Sequence, residues 1–128
     1  MIRYFAVRFH LTALLFLAIT GCSNSKKDNI SPQASNSAEE YHQKGNQEYL
    51  SGNFTDAIES YSKAIKLNPN HTYAHNNRCY IKYTIGNFKE ALKDCNRAIL
   101  LNPLDSRLYD SRGEVKWAAG DRNGACID

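Results

Sequence analysis

The sequence has little of what most enzymes and nucleic-acid-binding proteins carry. Its 128 residues include 16 basic and 13 acidic side chains, and two of the bases, Arg3 and Arg8, lie in a segment that we expect to be removed. Without them, the sequence has 14 basic and 13 acidic side chains. This balance gives no indication of the clustered basic face that binds nucleic acid. The sequence also lacks a nucleophile elbow, a glycine-rich phosphate loop and a pair of acids whose spacing would place them in a cleft. These absences predict a protein that is not an enzyme, holds no cofactor and binds no nucleic acid.

Cysteine is scarce as well. The four cysteines, Cys22, Cys79, Cys95 and Cys126, are too few and too scattered for a disulfide scaffold, and none forms a CxxC pair. Two interpretations of Cys79 and Cys95 stay open at this point. They form a disulfide in an oxidising compartment, which geometry decides, or they are small buried apolar side chains. Cys126, near the C-terminal end, is interpreted as a free thiol.

Two histidines and a cysteine have a spacing that can indicate a metal site. His71, His75 and Cys79 follow one another at intervals of four residues, which places them on one face if a single helix includes all three. We expect His71 in the loop before that helix and Cys79 at a position that points into a helix pair. An isolated histidine at a packing position more often has a structural role, so we predict no metal site.

The first 21 residues have the layout of a secretory signal peptide. Arg3 and Arg8 form a positive n-region, and residues 11–20 are an uncharged apolar run before the small residue Gly21. A transmembrane helix needs about 20 apolar residues, and Arg8 and His10 interrupt any longer version of the run. We therefore predict a cleaved signal rather than a permanent span.

The end of this segment is more specific. The residues 19–22, Ile-Thr-Gly-Cys, resemble the bacterial lipobox, in which an aliphatic residue and two small ones precede a cysteine. The resemblance implies that the Cys22 thiol receives a diacylglycerol, that the chain is cut before it, and that the new N-terminus is often acylated too, palmitate being one such acyl group. The alternative is a chance cysteine after an ordinary signal.

Two or three acyl chains would anchor the protein stably, whereas a single chain is marginal. In the lipoproteins that this segment resembles, an aspartate after the cysteine favours the inner membrane. Ser23 stands there instead, which favours the outer membrane if the cell has one. The expected location is the bacterial cell envelope, on the extracytoplasmic side. Residues 22–37 are rich in serine and asparagine and contain almost nothing to bury, so we predict a lipidated cysteine followed by a disordered tether.

From residue 38 the sequence repeats itself. Residues 49–69 read YLSGNFTDAIESYSKAIKLNP, and 34 residues later residues 83–103 read YTIGNFKEALKDCNRAILLNP. The pattern begins a third time at Trp117. A fixed period of about 20–50 residues marks a repeat architecture. We therefore divide residues 38–128 into repeats at 38–71 and 72–105 and a partial repeat at 106–128.

Each repeat predicts two helices joined by a tight turn. Gly52 and Gly86 suit the left-handed residue that ends a helix, and Asn53 and Asn87 follow as N-cap candidates for the next one. The prolines at 69 and 103 stop the second helix, because the residue before a proline is biased away from helical geometry. We expect helices near residues 38–51, 54–67, 72–85, 88–101 and 106–119, with a short sixth starting near 122.

These positions resemble the tetratricopeptide repeat, a pattern of small, aromatic and glycine residues with a proline near its end. Repeat one carries nearly the full set, and the later repeats match in part: Tyr41, Gly45, Tyr49, Gly52, Phe54, Ala57, Tyr61, Ala64 and Pro69; Cys79, Tyr83, Gly86, Phe88, Ala91, Ala98 and Pro103; Tyr109, Gly113, Trp117, Gly120 and Ala125. The chain departs from the pattern at His75, Cys95 and Arg122, where aromatic residues are expected. The resemblance implies an all-α fold, a right-handed superhelical solenoid of about two and a half helix-turn-helix repeats.

The same resemblance implies that the protein binds another protein or peptide, which the sequence leaves unidentified. In this family the first helices of the repeats line a concave groove that binds extended or helical segments. Aromatic residues with polar tips are common anchors of such surfaces, and Tyr49, Tyr83 and Trp117 are expected to form an aromatic column. The predicted groove residues are His42, Asn46, Tyr49, Tyr73, Asn76, Tyr80, Tyr83, Arg107, Asp110 and Trp117.

Some members of the family hold a partner's C-terminal carboxylate with a clamp of basic residues and asparagines. The chain has Asn46, Asn77 and Arg107 at three clamp positions, but His42 and Ser111 stand where basic residues belong. We therefore expect no such clamp.

The expected function is that of a membrane-anchored repeat lipoprotein that binds a partner segment in its groove, as a scaffold in envelope assembly. The alternative is a structural module that self-associates as a homodimer. Repeats bury their apolar faces only by stacking, and the third repeat here stops before most of its second helix.

Overall fold

The computed structural model describes residues 32–127. The predicted signal peptide, Cys22 and residues 22–31 of the predicted tether lie outside the described residues. Six helices follow one another: α1 (Pro32–Leu50), α2 (Phe54–Leu67), α3 (Thr72–Thr84), α4 (Phe88–Leu101), α5 (Ser106–Ala118) and α6 (Arg122–Ala125).

The helices pack as successive pairs. Helix α1 packs on α2, α3 on α4 and α5 on α6, while α2 with α3 and α4 with α5 join one pair to the next. The predicted all-α solenoid of helix-turn-helix repeats is confirmed. Among these six described helices, none has the combination of length and apolar character that crossing a membrane requires.

Helix α1 begins earlier than the sequence predicts. It starts at Pro32 rather than near residue 38, so residues 32–37 are helical instead of forming the end of a disordered tether. Proline suits the first turn of a helix because its φ is fixed and its missing N–H has no helical partner there. Once the packed part of α1 exists, each added residue contributes one more backbone hydrogen bond without the cost of nucleation.

The three turns within repeats share one geometry, which the sequence predicts. Gly52, Gly86 and Gly120 have φ values of 79°, 80° and 90°, a region that glycine enters without a steric penalty. In the first turn, the Gly52 N–H donates to the Tyr49 carbonyl and the Asn53 N–H donates to the Glu48 carbonyl. These two bonds form a Schellman motif, which satisfies the last carbonyls of the helix.

The N-cap predictions are right in position but not in chemistry. Asn53 and Asn87 precede α2 and α4, yet within the described residues neither side chain makes a capping hydrogen bond. The capping side chains belong to the other helices instead. His71 accepts from the Ala74 N–H at the start of α3, and Asp105 accepts from the Arg107 N–H at the start of α5.

The core of repeat one depends on a close approach between its two helices. Gly45 of α1 faces Tyr61 of α2, and a Cβ atom added at Gly45 would lie 2.6 Å from the Tyr61 Cε1 atom. Ala57 and Ala64 of α2 are fully buried beside that ring. The missing side chain at Gly45 therefore lets the Tyr61 ring pack directly against α1.

In repeat two, a covalent bond takes the place of this contact. Cys79 of α3 and Cys95 of α4 form a disulfide, with their Cα atoms 5.5 Å apart. Both residues are fully buried. Of the two interpretations that the sequence leaves open, the structure has the disulfide. Cys126 is free and exposed.

Candidate functional site

The predicted groove contains a cavity of about 450 Å³ between α1 and α3. Its walls are mainly apolar and aromatic, with a few asparagine side chains among them, as in many ligand sites. Four predicted groove residues meet there, together with the buried side chains of Tyr61 and Ile81. The lining residues are Asn46, Tyr49, Leu50, Tyr61, Asn76, Asn77, Tyr80 and Ile81.

One polar atom of this cavity lacks a partner. The Asn76 side-chain oxygen Oδ1 is buried, yet no described residue donates a hydrogen bond to it. An unsatisfied buried acceptor costs about 1–3 kcal/mol, so such groups in folded proteins call for an explanation. Asn76 also lines the cavity, so an amide side chain whose oxygen no described residue satisfies belongs to its wall.

Aromatic rings form a continuous row along the floor of the groove. The Tyr80 ring lies between two others, with its centroid 6.0 Å from that of Tyr49 and 5.9 Å from that of Tyr83. The row ends at Phe54 on one side and Phe88 on the other. Tyr80 is therefore the ring that connects Tyr49 and Tyr83, two members of the predicted aromatic column.

The pKa of Tyr80 depends on groups from two other helices, α1 and α5. The nearby Tyr49 raises the pKa of Tyr80, and burial and the Glu114 carboxylate of α5 add to that rise. Tyr80 therefore lies within the field of groups from α1 and from α5.

A second cavity, of about 620 Å³, lies at the other end of the row. It is formed by α3, α5 and the C-terminal end of α6, and it brings together three more predicted groove residues. They are Tyr83, Asp110 and Trp117, and the remaining lining residues are Tyr109, Gly113, Glu114, Ala125 and Cys126. Trp117 is 57% exposed, and the Arg122 guanidinium lies 5.2 Å from the centre of its ring.

His42 and Asn46 are held in an internal hydrogen-bond network. The Asn77 amide group donates to His42 Nε2 at 3.1 Å and to Asn46 Oδ1 at 3.0 Å. The Tyr61 hydroxyl also donates to Asn46 Oδ1, at 2.7 Å, and burial raises the pKa of Tyr61 to about 12. The network ties α1, α2 and α3 together beside the first cavity.

Tyr73 and Arg107 lie together, away from both cavities. The Arg107 guanidinium donates to Asp105 through Nε at 2.9 Å and Nη2 at 2.7 Å, and it also donates to the Tyr73 hydroxyl at 2.9 Å. The hydrogen bonds and charge of Asp105 raise the pKa of Arg107 above its usual range. These two predicted groove residues thus pair with each other and with Asp105.

Three side chains, two on α1 and one at the start of α3, could hold a metal ion. Glu39, His42 and His71 offer ligand atoms that all lie within 4.8 Å of one another. The sequence reasoning considered His71 only with His75 and Cys79, and the spacing of Glu39 and His42 by three residues on α1 was the missed signal.

The hydrogen bonds of Glu39 and His71 favour another arrangement. His71 Nδ1 accepts from the Ala74 N–H, so the neutral ring carries its proton on Nε2, which points at Glu39 Oε2 at 3.2 Å.

The charges of this cluster follow from the same contacts. Burial acts to raise the pKa of Glu39, but hydrogen bonds from His42 and Gln43 outweigh it and lower the pKa. Burial and the neighbouring His42 lower the pKa of His71. The Glu39 carboxylate thus lies within hydrogen-bond distance of both imidazole rings, which ties α1 to the start of α3.

Comparisons with known proteins agree with the repeat pattern. The sequence matches the family description "TPR repeat" over residues 45–86 and the description "Tetratricopeptide repeat" over residues 72–104. Among curated proteins, none matches the chain significantly.

Solved structures of such repeats have a similar fold. The first TPR of Spaghetti (RPAP3) bound to the HSP90 peptide SRMEEVD has a TM-score of 0.70 and 28% identity, over 71% of this chain and 72% of that one. The Arabidopsis OM64 TPR domain has a TM-score of 0.71 and 26% identity, over 73% and 78% of the two chains. The TPR2B domain of yeast Sti1, in a complex with pHsp70, has a TM-score of 0.71 and 27% identity, over 73% and 74%. The chain therefore carries tetratricopeptide repeats, and its described residues have the solenoid fold built from them.

Proposed function

We propose that this protein binds a peptide segment of a partner protein in the groove between α1, α3 and α5, and that it is a binding module rather than an enzyme. The observation that carries the proposal is the cavity of about 450 Å³ between α1 and α3, which adjoins the row of tyrosine rings. It combines an apolar site for an anchor side chain with aromatic rings along which a chain can extend. A peptide can use both, because it carries apolar side chains on an extended backbone with regularly spaced polar groups.

Similar structures support this proposal. The first TPR of Spaghetti (RPAP3) is bound to a peptide, SRMEEVD, and TPR2B of yeast Sti1 is in a complex with pHsp70. The cavities here lie along α1, α3 and α5, the first helices of the repeats. Binding of a partner segment by these helices is therefore the function that best fits the fold.

Tyr80→Ala is expected to weaken partner binding by at least about tenfold, because buried tyrosines at the centre of an interface commonly contribute 2 kcal/mol or more. Tyr73→Ala is the matched control. Tyr80 is 40% exposed and Tyr73 is 43% exposed, but only Tyr80 lines the cavity. The measurement is chemical crosslinking in native membranes, followed by quantitative mass spectrometry of the captured partner. Equal capture by the wild type and the Tyr80 variant would exclude the groove as the binding site.

We further propose that the protein is anchored by lipid at Cys22 to the extracytoplasmic side of a bacterial membrane, with the outer membrane favoured where one exists, and that it acts there as a scaffold in envelope assembly. The sequence Ile-Thr-Gly-Cys at residues 19–22 supports the anchor. The Cys79–Cys95 disulfide supports the compartment, because disulfides persist in oxidising environments and are rare in the cytosol.

Cys22→Ser is expected to abolish incorporation of labelled palmitate and to release the protein from the membrane fraction, since the serine provides no thiol for the lipid. The matched control is Cys126→Ser, which removes an exposed free thiol and should leave the label in place. Metabolic labelling followed by fractionation measures both effects. A Cys22 variant that still carried label would contradict the anchor.

A further inference from the structure

The predicted groove residues have few basic groups to offer an acidic ligand. Among the predicted groove residues, Arg107 is the one permanent cation. Its guanidinium is already engaged by the Asp105 carboxylate and the Tyr73 hydroxyl. An acidic peptide would have to compete with this internal ion pair, which holds the Arg107 side chain away from both cavities.

Two polar side chains of the groove beside α1 and α3 are engaged too. The Asn77 amide donates to His42 Nε2 and to Asn46 Oδ1, and His42 Nδ1 lies 3.4 Å from Glu39 Oε1. A carboxylate placed beside Asn77 and His42 would meet groups whose hydrogens already have acceptors.

Two carboxylates without an ion pair in the described residues lie at the other end of the groove, on α5. Asp110 and Glu114 are exposed on α5, four residues apart, and neither forms an ion pair with any residue of the described range. Both line the cavity of about 620 Å³ together with Tyr83 and Trp117. A cationic side chain in this cavity would gain from the carboxylates and from the faces of aromatic rings. Two rings of the cavity already accept guanidiniums of the chain itself: Arg122 lies 5.2 Å from the centre of Trp117, and Arg112 lies 5.5 Å from the centre of Tyr109.

The two cavities form one continuous surface. Tyr80 lines the first and Tyr83 lines the second, and their ring centroids are 5.9 Å apart. A single extended segment can therefore place one side chain in the apolar cavity and a neighbouring one between the carboxylates.

We propose that the groove selects a peptide segment with an aromatic or aliphatic anchor for the first cavity and a nearby lysine or arginine for the carboxylates Asp110 and Glu114. This inference rests on the proposed function and specifies its partner. It sets the chain apart from the relative that is bound to SRMEEVD, a peptide with three acidic residues.

The test is a selection with the full chain, purified in detergent and immobilised, from a phage-displayed library of random peptides. Three proteins are compared: the wild type, the double variant Asp110→Asn with Glu114→Gln, and the double variant Tyr49→Ala with Tyr80→Ala. The amide replacements keep the size of the side chains and remove the charges. The best wild-type peptide and SRMEEVD are then synthesised, and their affinities are measured by fluorescence anisotropy at low and at physiological ionic strength.

We expect the wild type to enrich lysine or arginine near an apolar residue and to bind SRMEEVD more weakly than the selected peptide. The amide variant should lose about three- to tenfold in affinity for the selected peptide and most of the salt dependence, as for exposed ion pairs. Enrichment of acidic residues, or the same basic preference in the amide variant, would overturn the inference. A different outcome tests the proposed function itself: if the Tyr49 and Tyr80 variant selects the same peptides as the wild type, the groove is not the binding site.

Discussion

Replacing Cys79 and Cys95 together by alanine is expected to lower the free energy of unfolding by about 3 kcal/mol. The disulfide joins residues 16 positions apart, and a closed loop of about this length removes about 3 kcal/mol worth of chain entropy from the unfolded state. Both positions are fully buried, so the lost sulfur contacts add to the effect. For a repeat unit of this size the melting temperature should fall by about 10–20 °C, as measured by circular dichroism.

Two controls distinguish the effect of losing the disulfide from the effect of replacing cysteine side chains. Cys126→Ala changes an exposed free cysteine and should leave the melting temperature unchanged. Dithiothreitol should destabilise the wild type by nearly the same amount as the double alanine variant, while the variant itself should not respond. Non-reducing peptide mapping identifies the bond directly. A wild-type protein whose stability is indifferent to the reductant would show that the disulfide does not hold the repeat together.

The sequence contains a stronger signal for this bond than the spacing of the cysteines. In repeat one, Gly45 packs against Tyr61, and 34 residues later the same two positions are Cys79 and Cys95. Helix pairs related by the repeat place equivalent residues in equivalent contacts, so the two cysteines are brought together by the fold. Repeat position alone does not give the distance between the two Cα atoms, which is 5.5 Å in the structure.

The groove shows where prediction from repeat positions ends. A position fixes the direction of the Cα–Cβ bond, and this is why Tyr49, Asn76 and Tyr80 can meet at one cavity. It does not fix where the polar end of a long side chain lies. Arg107 bonds to Asp105, two residues before it in the chain, and the Asn76 oxygen is buried where no described residue donates to it.

The early start of α1 has a similar cause. Residues 32–37 have a composition typical of disorder, but they directly precede a helix that packs on α2. Composition describes what a segment does alone, whereas extension of an existing helix needs no nucleus. The boundary was therefore set by its neighbour and not by the local residues.

Asp94→Ala is expected to cost about 3–5 kcal/mol, the usual loss when one partner of a buried ion pair is removed. The Asp94 carboxylate on α4 lies 2.8 Å from Arg78 Nε, 2.6 Å from Arg78 Nη2 and 2.7 Å from Lys82 Nζ. Its side chain is 7% exposed, and those of Arg78 and Lys82 are 18% and 16% exposed. Without Asp94, two cations would stay largely buried with no carboxylate between them. Urea denaturation, followed by circular dichroism, measures the loss.

The matched control for Asp94 is Glu90→Ala. Glu90 is on the same helix and pairs with Lys93 at 2.6 Å, but the side chains of this pair are 42% and 64% exposed. Exposed pairs contribute about 0–1 kcal/mol, so we expect the Glu90 variant to unfold near the wild-type urea concentration. Equal small losses in the two variants would mean that the Asp94 cluster does not stabilise the fold.

The Asp94 cluster also predicts how stability depends on pH. Burial acts to raise the pKa of Asp94, but the neighbouring His75, Arg78 and Lys82 outweigh it and hold the pKa well below its usual range. In acid the unfolded state therefore binds a proton at Asp94 before the folded state does, so the free energy of unfolding rises with pH. This stabilisation is complete above the pKa of an unfolded aspartate, about 3.9, and is lost as the pH falls below that value. The wild type should consequently lose more stability than Asp94→Asn between neutral pH and the acid range, and parallel acid titrations of the two proteins would contradict the assignment.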